Sequence, residues 1–94
     1  PDGQRRVVIT PGMVELGARQ ADENARFARA ASQIATDLVV VGLTNAAALV
    51  AGARGGTARV VRVATRDQAV AWVSQHVGPC DVVLYENDLP DHFP

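Results

Sequence analysis

Four short β-branched runs, each followed by a segment of different periodicity, leave this chain few folds to choose from. The runs are residues 5–10 (Arg-Arg-Val-Val-Ile-Thr), 37–42 (Asp-Leu-Val-Val-Val-Gly), 58–64 (Ala-Arg-Val-Val-Arg-Val-Ala) and 81–85 (Asp-Val-Val-Leu-Tyr). Apolar runs closed by turn residues such as Pro11-Gly12 predict buried strands. Helical patterns lie between them. Over residues 18–35, Ala21, Ala25, Phe27, Ala28, Ala31 and Ile34 form one apolar stripe, with Gln20, Glu23, Arg26, Arg29 and Gln33 on the other faces. Asp22 and Glu23 are spaced to pair with Arg26. Over residues 45–54 a second helix is capped by Thr44 and ended by Gly55-Gly56 in a left-handed turn. Over residues 65–76 a third opens on a Thr65–Gln68 capping box, and Val70, Val73 and Val77 form its stripe beside Trp72.

The order is β-α-β-α-β-α-β. Such alternation predicts an α/β fold, a Rossmann-like three-layer sandwich with a mostly parallel sheet. Arg59 and Arg62 mark the third strand as an edge. With 94 residues, the whole of 1–94 reads as a single domain with a small core.

Composition removes several functions. The formal net charge is −1, so there is no basic footprint for nucleic acid or an anionic membrane. All nine basic residues are Arg. Without Lys there is no phosphate-loop lysine, no Schiff base and no serine–lysine dyad. A single Cys cannot form an internal disulfide and suits a reducing compartment, so the expected location is cytoplasmic. No apolar run approaches the roughly 20 residues of a membrane span. The sequence opens on Pro1 rather than Met, as a processed chain or a cut piece of a longer protein would.

In open parallel sheets ligands bind beyond the carboxyl ends of the strands. Four segments meet that condition: residues 10–17, 42–45, 64–67 and 86–91. The first holds Thr10, Gly12, Met13, Glu15 and Gly17. It reads either as a loop shaping a ligand site, with Gly12 allowing close backbone approach, or as a packed connector in which a buried Glu15 caps the next helix. Glu86, Asn87 and Asp88 read either as groups for a divalent ion or a substrate amine, or as a solvated tail. His76, Cys80 and His92 match no zinc spacing. His76 and Cys80 are expected at the opposite end of the strands, His76 closing a helix and Cys80 entering a strand. Residues 42–45 open a helix and could meet an anion, though no Gly-x-Gly-x-x-Gly pattern is present.

The segment Val7-Val8-Ile9-Thr10-Pro11-Gly12-Met13-Val14-Glu15-Leu16-Gly17 resembles the C-terminal, glutamate-ligase-type domain of the Mur ligases. It is most similar to the branch that adds D-alanyl-D-alanine to UDP-N-acetylmuramoyl-tripeptide, whose loop reads Gly-Asp-Met-x-Glu-Leu-Gly. Met13, Glu15, Leu16 and Gly17 match, and Thr10-Pro11-Gly12 departs at the start. Asp37-Leu38-Val39-Val40-Val41-Gly42 resembles the family's next strand. Gly78-Pro79-Cys80-Asp81-Val82-Val83-Leu84 resembles its late strand, with Cys80 where Gly is usual. After that strand the branch has Lys-Gly-Ser, and this chain has Glu86-Asn87-Asp88.

The resemblance implies an ATP-dependent ligase of peptidoglycan precursor synthesis, in which an acyl phosphate is attacked by an amine. This chain would be the later part of its C-terminal domain, inactive alone, with the family's lysines on an absent central domain. ATP and Mg would be bound mainly by that central domain, with none expected on this fragment itself. Met13, Glu15, Glu86, Asn87 and Asp88 would face substrate, and Thr10 and Gly12 the ATP side. Partners would be the ligase's other domains, an amino-acid or dipeptide acceptor and a UDP-muramoyl-peptide-like donor. The truncated sheet predicts a bare apolar flank and a homodimer of the chain alone. The alternative is a non-catalytic Rossmann-like binding module. A receiver-like module is disfavoured, because Thr10 and Gly42 stand where its acidic groups would be.

Overall fold

A computed structural model describes residues 4–86. Four strands, β1 (Arg6–Thr10), β2 (Asp37–Val41), β3 (Arg59–Val63) and β4 (Val82–Tyr85), form one sheet in the order β3-β2-β1-β4. Every pairing is parallel, with Val8 opposite both Leu38 and Leu84, and Leu38 opposite Val60. The predicted α/β sandwich is therefore the observed one, and the arginine-bearing β3 is an edge.

Helices α1 (Gln20–Ile34) and α2 (Ala46–Ala53) cover one face and α3 (Arg66–His76) the other. Strand side chains alternate between faces, so β1 and β2 each feed two cores. Val8, Leu38 and Val40 meet Ala28, Ala31, Ala46 and Leu49. Val7, Ile9 and Val39 meet Ala69, Trp72 and Val73. Leu38 and Leu49 are fully buried, each worth roughly 1.5–3 kcal/mol by the area removed from water.

The two helices on the first face touch closely because small residues line the seam. A Cβ on Gly52 would run into the Ala25 carbonyl, and one on Gly56 into the Ser32 side chain. Neither Gly55 nor Gly56 has positive φ, so close packing at Gly56 replaces the predicted left-handed cap. Asn45, not Thr44, is the N-cap of α2, and its side chain makes no cap bond because it is engaged elsewhere. A 3-10 turn at Gly17–Arg19 precedes α1. The Thr65 cap is as predicted, since its hydroxyl accepts from Gln68 N–H. The Gln68 carboxamide reaches back to Ala64 N–H at 2.7 Å.

Three stripe residues prove to be exposed: Ala21, Ile34 and Val70. Ile34 is 69% and Val70 45% exposed. Ala69 takes the buried place on α3, while Val73, Val77 and Trp72 pack against the sheet as expected. Asp22 and Glu23 form no ion pair with Arg26 among the described residues. Ile34 lies beside β4, where no helix among the described residues covers the first face. There Val82 and Leu84 are about half exposed (53% and 54%), and an open groove of about 520 Å³ runs between them, Val8, Ile34 and Arg6.

Candidate functional site

All four strands point the same way, so their carboxyl ends gather along one edge of the sheet. β1 ends there in Thr10, which is fully buried. Its hydroxyl accepts the Gly12 N–H at 2.8 Å and reaches the Glu86 carboxylate over a long 3.4 Å. Glu86 N–H in turn donates to the Ile9 carbonyl at 2.8 Å, extending the β1–β4 pairing by one residue. The first and last loops are thus joined at Thr10.

Beyond Thr10 the chain is tied down residue by residue. The Asn24 carboxamide, from the second turn of α1, accepts Met13 N–H at 2.7 Å and donates to Met13 O at 2.9 Å and Gln20 O at 2.8 Å. Asn45, from the start of α2, donates to Pro11 O and Met13 O, both at 3.1 Å, and accepts from the Gln20 carboxamide at 2.8 Å. Asn24 is 0% and Asn45 4% exposed. Burying these amides is tolerable because they are paired, and no buried side-chain polar atom among the described residues lacks a partner.

Gly12 lies against this pair. Its φ is +84°, and a Cβ there would stand 2.6 Å from Asn24 Oδ1 and 2.7 Å from Asn45 Nδ2. Three residues later Glu15 has φ of +65°, an uncommon conformation for a residue with a side chain. Glu15 is exposed, and the residue flanking the following 3-10 turn is Leu16, which makes no side-chain cap. Glu15 is therefore neither buried nor a helix cap.

Of the residues named from sequence, Thr10, Gly12, Met13 and Glu86 come together at the carboxyl edge. Glu15 stands on the same loop facing solvent. Asn87 and Asp88 lie outside the described residues, as does His92. Segment 42–45 joins the cluster through Asn45, whereas 64–67 stays apart at the β3 edge. Asn24 was not singled out from sequence, Asn45 entered only as the end of segment 42–45, and Gln20 was placed on the polar face of its helix. A signal was present: Asn24 stands four and seven residues before Ala28 and Ala31, on the core-facing stripe, where a polar side chain needs a partner.

The opposite end of the sheet is tied by its own set of contacts. Arg5 pairs with the buried Asp37 at 3.2 Å and lies 5.9 Å from the Trp72 ring, on which His76 stacks at 4.4 Å. Backbone N–H groups of Arg5 and Gly78 hold the Asp81 carboxyl below its ordinary value. Exposed Cys80 sits at this end, as expected, away from the carboxyl edge.

Thr10 hydroxyl and Gly12 N–H are bonded to each other, and no group of three His, Cys, Asp or Glu side chains gathers as a metal site among the described residues. No helix among them is long and apolar enough to cross a membrane.

A family model described as the Mur ligase, glutamate ligase domain matches residues 1–85. A comparison with curated proteins finds none that matches.

Proposed function

Because the chain belongs to the Mur ligase family through its glutamate ligase domain, we propose that it is the later part of the C-terminal domain of an ATP-dependent amide-bond-forming ligase of peptidoglycan precursor synthesis. The observation that carries the reading is the family match across residues 1–85. The join of the Met13 loop to Glu86 supports it, because it lies at the carboxyl edge, where open parallel sheets bind their ligands.

In such a reaction ATP supplies the activated carboxylate. The share of this chain is to present and orient the attacking amine, which lowers the entropic barrier to attack. Met13, Glu15, Glu86, Asn87 and Asp88 form the acceptor-facing side. An acidic group at Glu86, where the D-alanyl-D-alanine-adding branch has a basic loop, suits the acceptor's ammonium better than its carboxylate. Thr10 and Gly12 would act towards ATP through the shape of their loop rather than as donors. ATP and Mg themselves would sit mainly on the central domain, and the chain alone would be inactive. The bare β4 flank is where the remainder of the protein packs, or a second copy when the chain is alone.

The test is kinetic, in the ligase that contains this domain. Glu86→Ala and Asp88→Ala are expected to raise KM for the amine acceptor and leave KM for ATP unchanged. Unaltered acceptor kinetics in both variants would rule out this side of the domain as the acceptor surface.

A further inference from the structure

We propose that Asn24, Asn45 and Gln20 are positioning residues that hold the Met13–Glu15 segment in its acceptor-facing conformation. The inference deepens the acceptor-site reading above and rests on it.

The two asparagines hold one residue from both sides. Met13 O takes a donor from each of them, and Met13 N–H goes to Asn24. Both backbone polar groups of Met13 are therefore spoken for by side chains of α1 and α2. Gln20 orients Asn45 by donating to its Oδ1, which leaves the Nδ2 hydrogens for Pro11 O and Met13 O. These bonds assign both amide orientations, because a flipped carboxamide would set acceptor against acceptor.

The arrangement does more than fill the core. Packing alone would be met by apolar side chains at these positions, at lower desolvation cost. What the amides add is a fixed backbone path, and that path carries a positive φ at Gly12 and again at Glu15. A side-chain-bearing residue persists in that region where its surroundings over-determine it. The clamp ends two residues before Glu15, so it sets where the Glu15 carboxylate leaves the surface. Through Gly12 N–H and Thr10 Oγ1 the same loop is tied to Glu86. One buried network thereby sets the relative placement of the two acids on the acceptor side.

The experiment uses the ligase containing this domain, with Asn24→Ala, Asn45→Ala, Asn24→Asp and Gln20→Ala alongside Glu86→Ala. Hydrogen exchange read by mass spectrometry on the peptide covering residues 11–16 reports the loop, and the peptide over 37–41 reports the fold. Each Asn→Ala variant is expected to speed exchange of the loop peptide with the β2 peptide unchanged. It should also raise the acceptor KM about tenfold, the scale of one lost hydrogen bond, at unaltered kcat and ATP KM. Asn24→Asp should not rescue, because a carboxylate keeps the acceptor for Met13 N–H but has no donor for Met13 O or Gln20 O. Gln20→Ala removes one bond at a half-buried position and should give a smaller change of the same kind, even where an Asn variant fails to fold. Loosened exchange with an unchanged acceptor KM, in a series where Glu86→Ala does raise it, overturns the proposal. A silent Glu86→Ala with responsive Asn variants instead refutes the Glu86 contact and leaves the clamp standing.

Discussion

Gly12→Ala tests the Met13 loop with a built-in control. Gly12 and Gly42 have nearly the same φ, at +84° and +82°. An Ala at either pays for placing a Cβ in the left-handed region, about 1–2 kcal/mol. At Gly42 nothing lies within 4 Å of that Cβ. At Gly12 it would stand 2.6–2.8 Å from Asn24 Oδ1, Asn45 Nδ2 and Asn45 Cβ. Making room means displacing two buried carboxamides, with the loss of one or two hydrogen bonds at about 1 kcal/mol each. Gly42→Ala should therefore cost about 1–2 kcal/mol and Gly12→Ala about 2–4 kcal/mol. Urea unfolding followed by far-UV circular dichroism gives both values, provided the slope with denaturant is common to the variants. In a domain of this size the difference is expected to appear as a gap in Tm of several degrees. A Gly12→Ala variant no less stable than Gly42→Ala would refute the close contact of the loop with the two asparagines.

Gly52→Ala should destabilise by about 1–3 kcal/mol despite the better helix propensity of Ala, since its Cβ meets the Ala25 backbone, while Gly55→Ala should be neutral or mildly stabilising. Chemical denaturation separates them, and equal effects would contradict the α1–α2 packing. The Asp81 carboxyl is held below its ordinary value of 3.8, so its contribution is present above that pH and is lost as pH falls through the lower, folded value. Asp81→Asn should flatten the acid limb of a stability–pH profile below about pH 4 and leave its neutral limb parallel to the wild type. The chain expressed alone is expected to self-associate through the uncovered β4 flank, where Val82 and Leu84 are about half exposed. Its elution volume should shift with concentration and Leu84→Lys should suppress the shift; monomeric elution at low and high concentration would contradict this.

Strand and helix periodicities carried the architecture because each reports a local fact. Val7 to Ile9 and Leu38 to Val40 are apolar at successive positions, which a strand tolerates when both its faces are covered. Both faces of β1 and β2 are covered here, and the arginine-marked β3 is indeed an edge. Periodicity misplaced Ala21, Ile34 and Val70 for one reason. A stripe on a helix says which side is apolar, but not how far the neighbouring sheet extends beneath it. Ile34 sits at the margin of the first face, where no helix among the described residues covers β4, Val70 at the outer side of α3 and Ala21 in the first turn of α1.

The sequence by itself determined the alternating order, the two-faced sheet, the placement of candidate groups at strand ends and the kinship carried by Met13, Glu15, Leu16 and Gly17. Those features depend on near neighbours and on the period of the chain, which are legible without coordinates. Only the tertiary structure decided what happens between segments far apart in sequence. It seated Asn24 and Asn45, 21 residues apart, on the two sides of Met13, joined Thr10 to Glu86 across 76 residues, and turned Glu15 outward. A side-chain amide looks the same in a sequence whether it faces water or a buried carbonyl. Its partners are settled when α1 and α2 pack side by side on the sheet and leave the loop one place to lie.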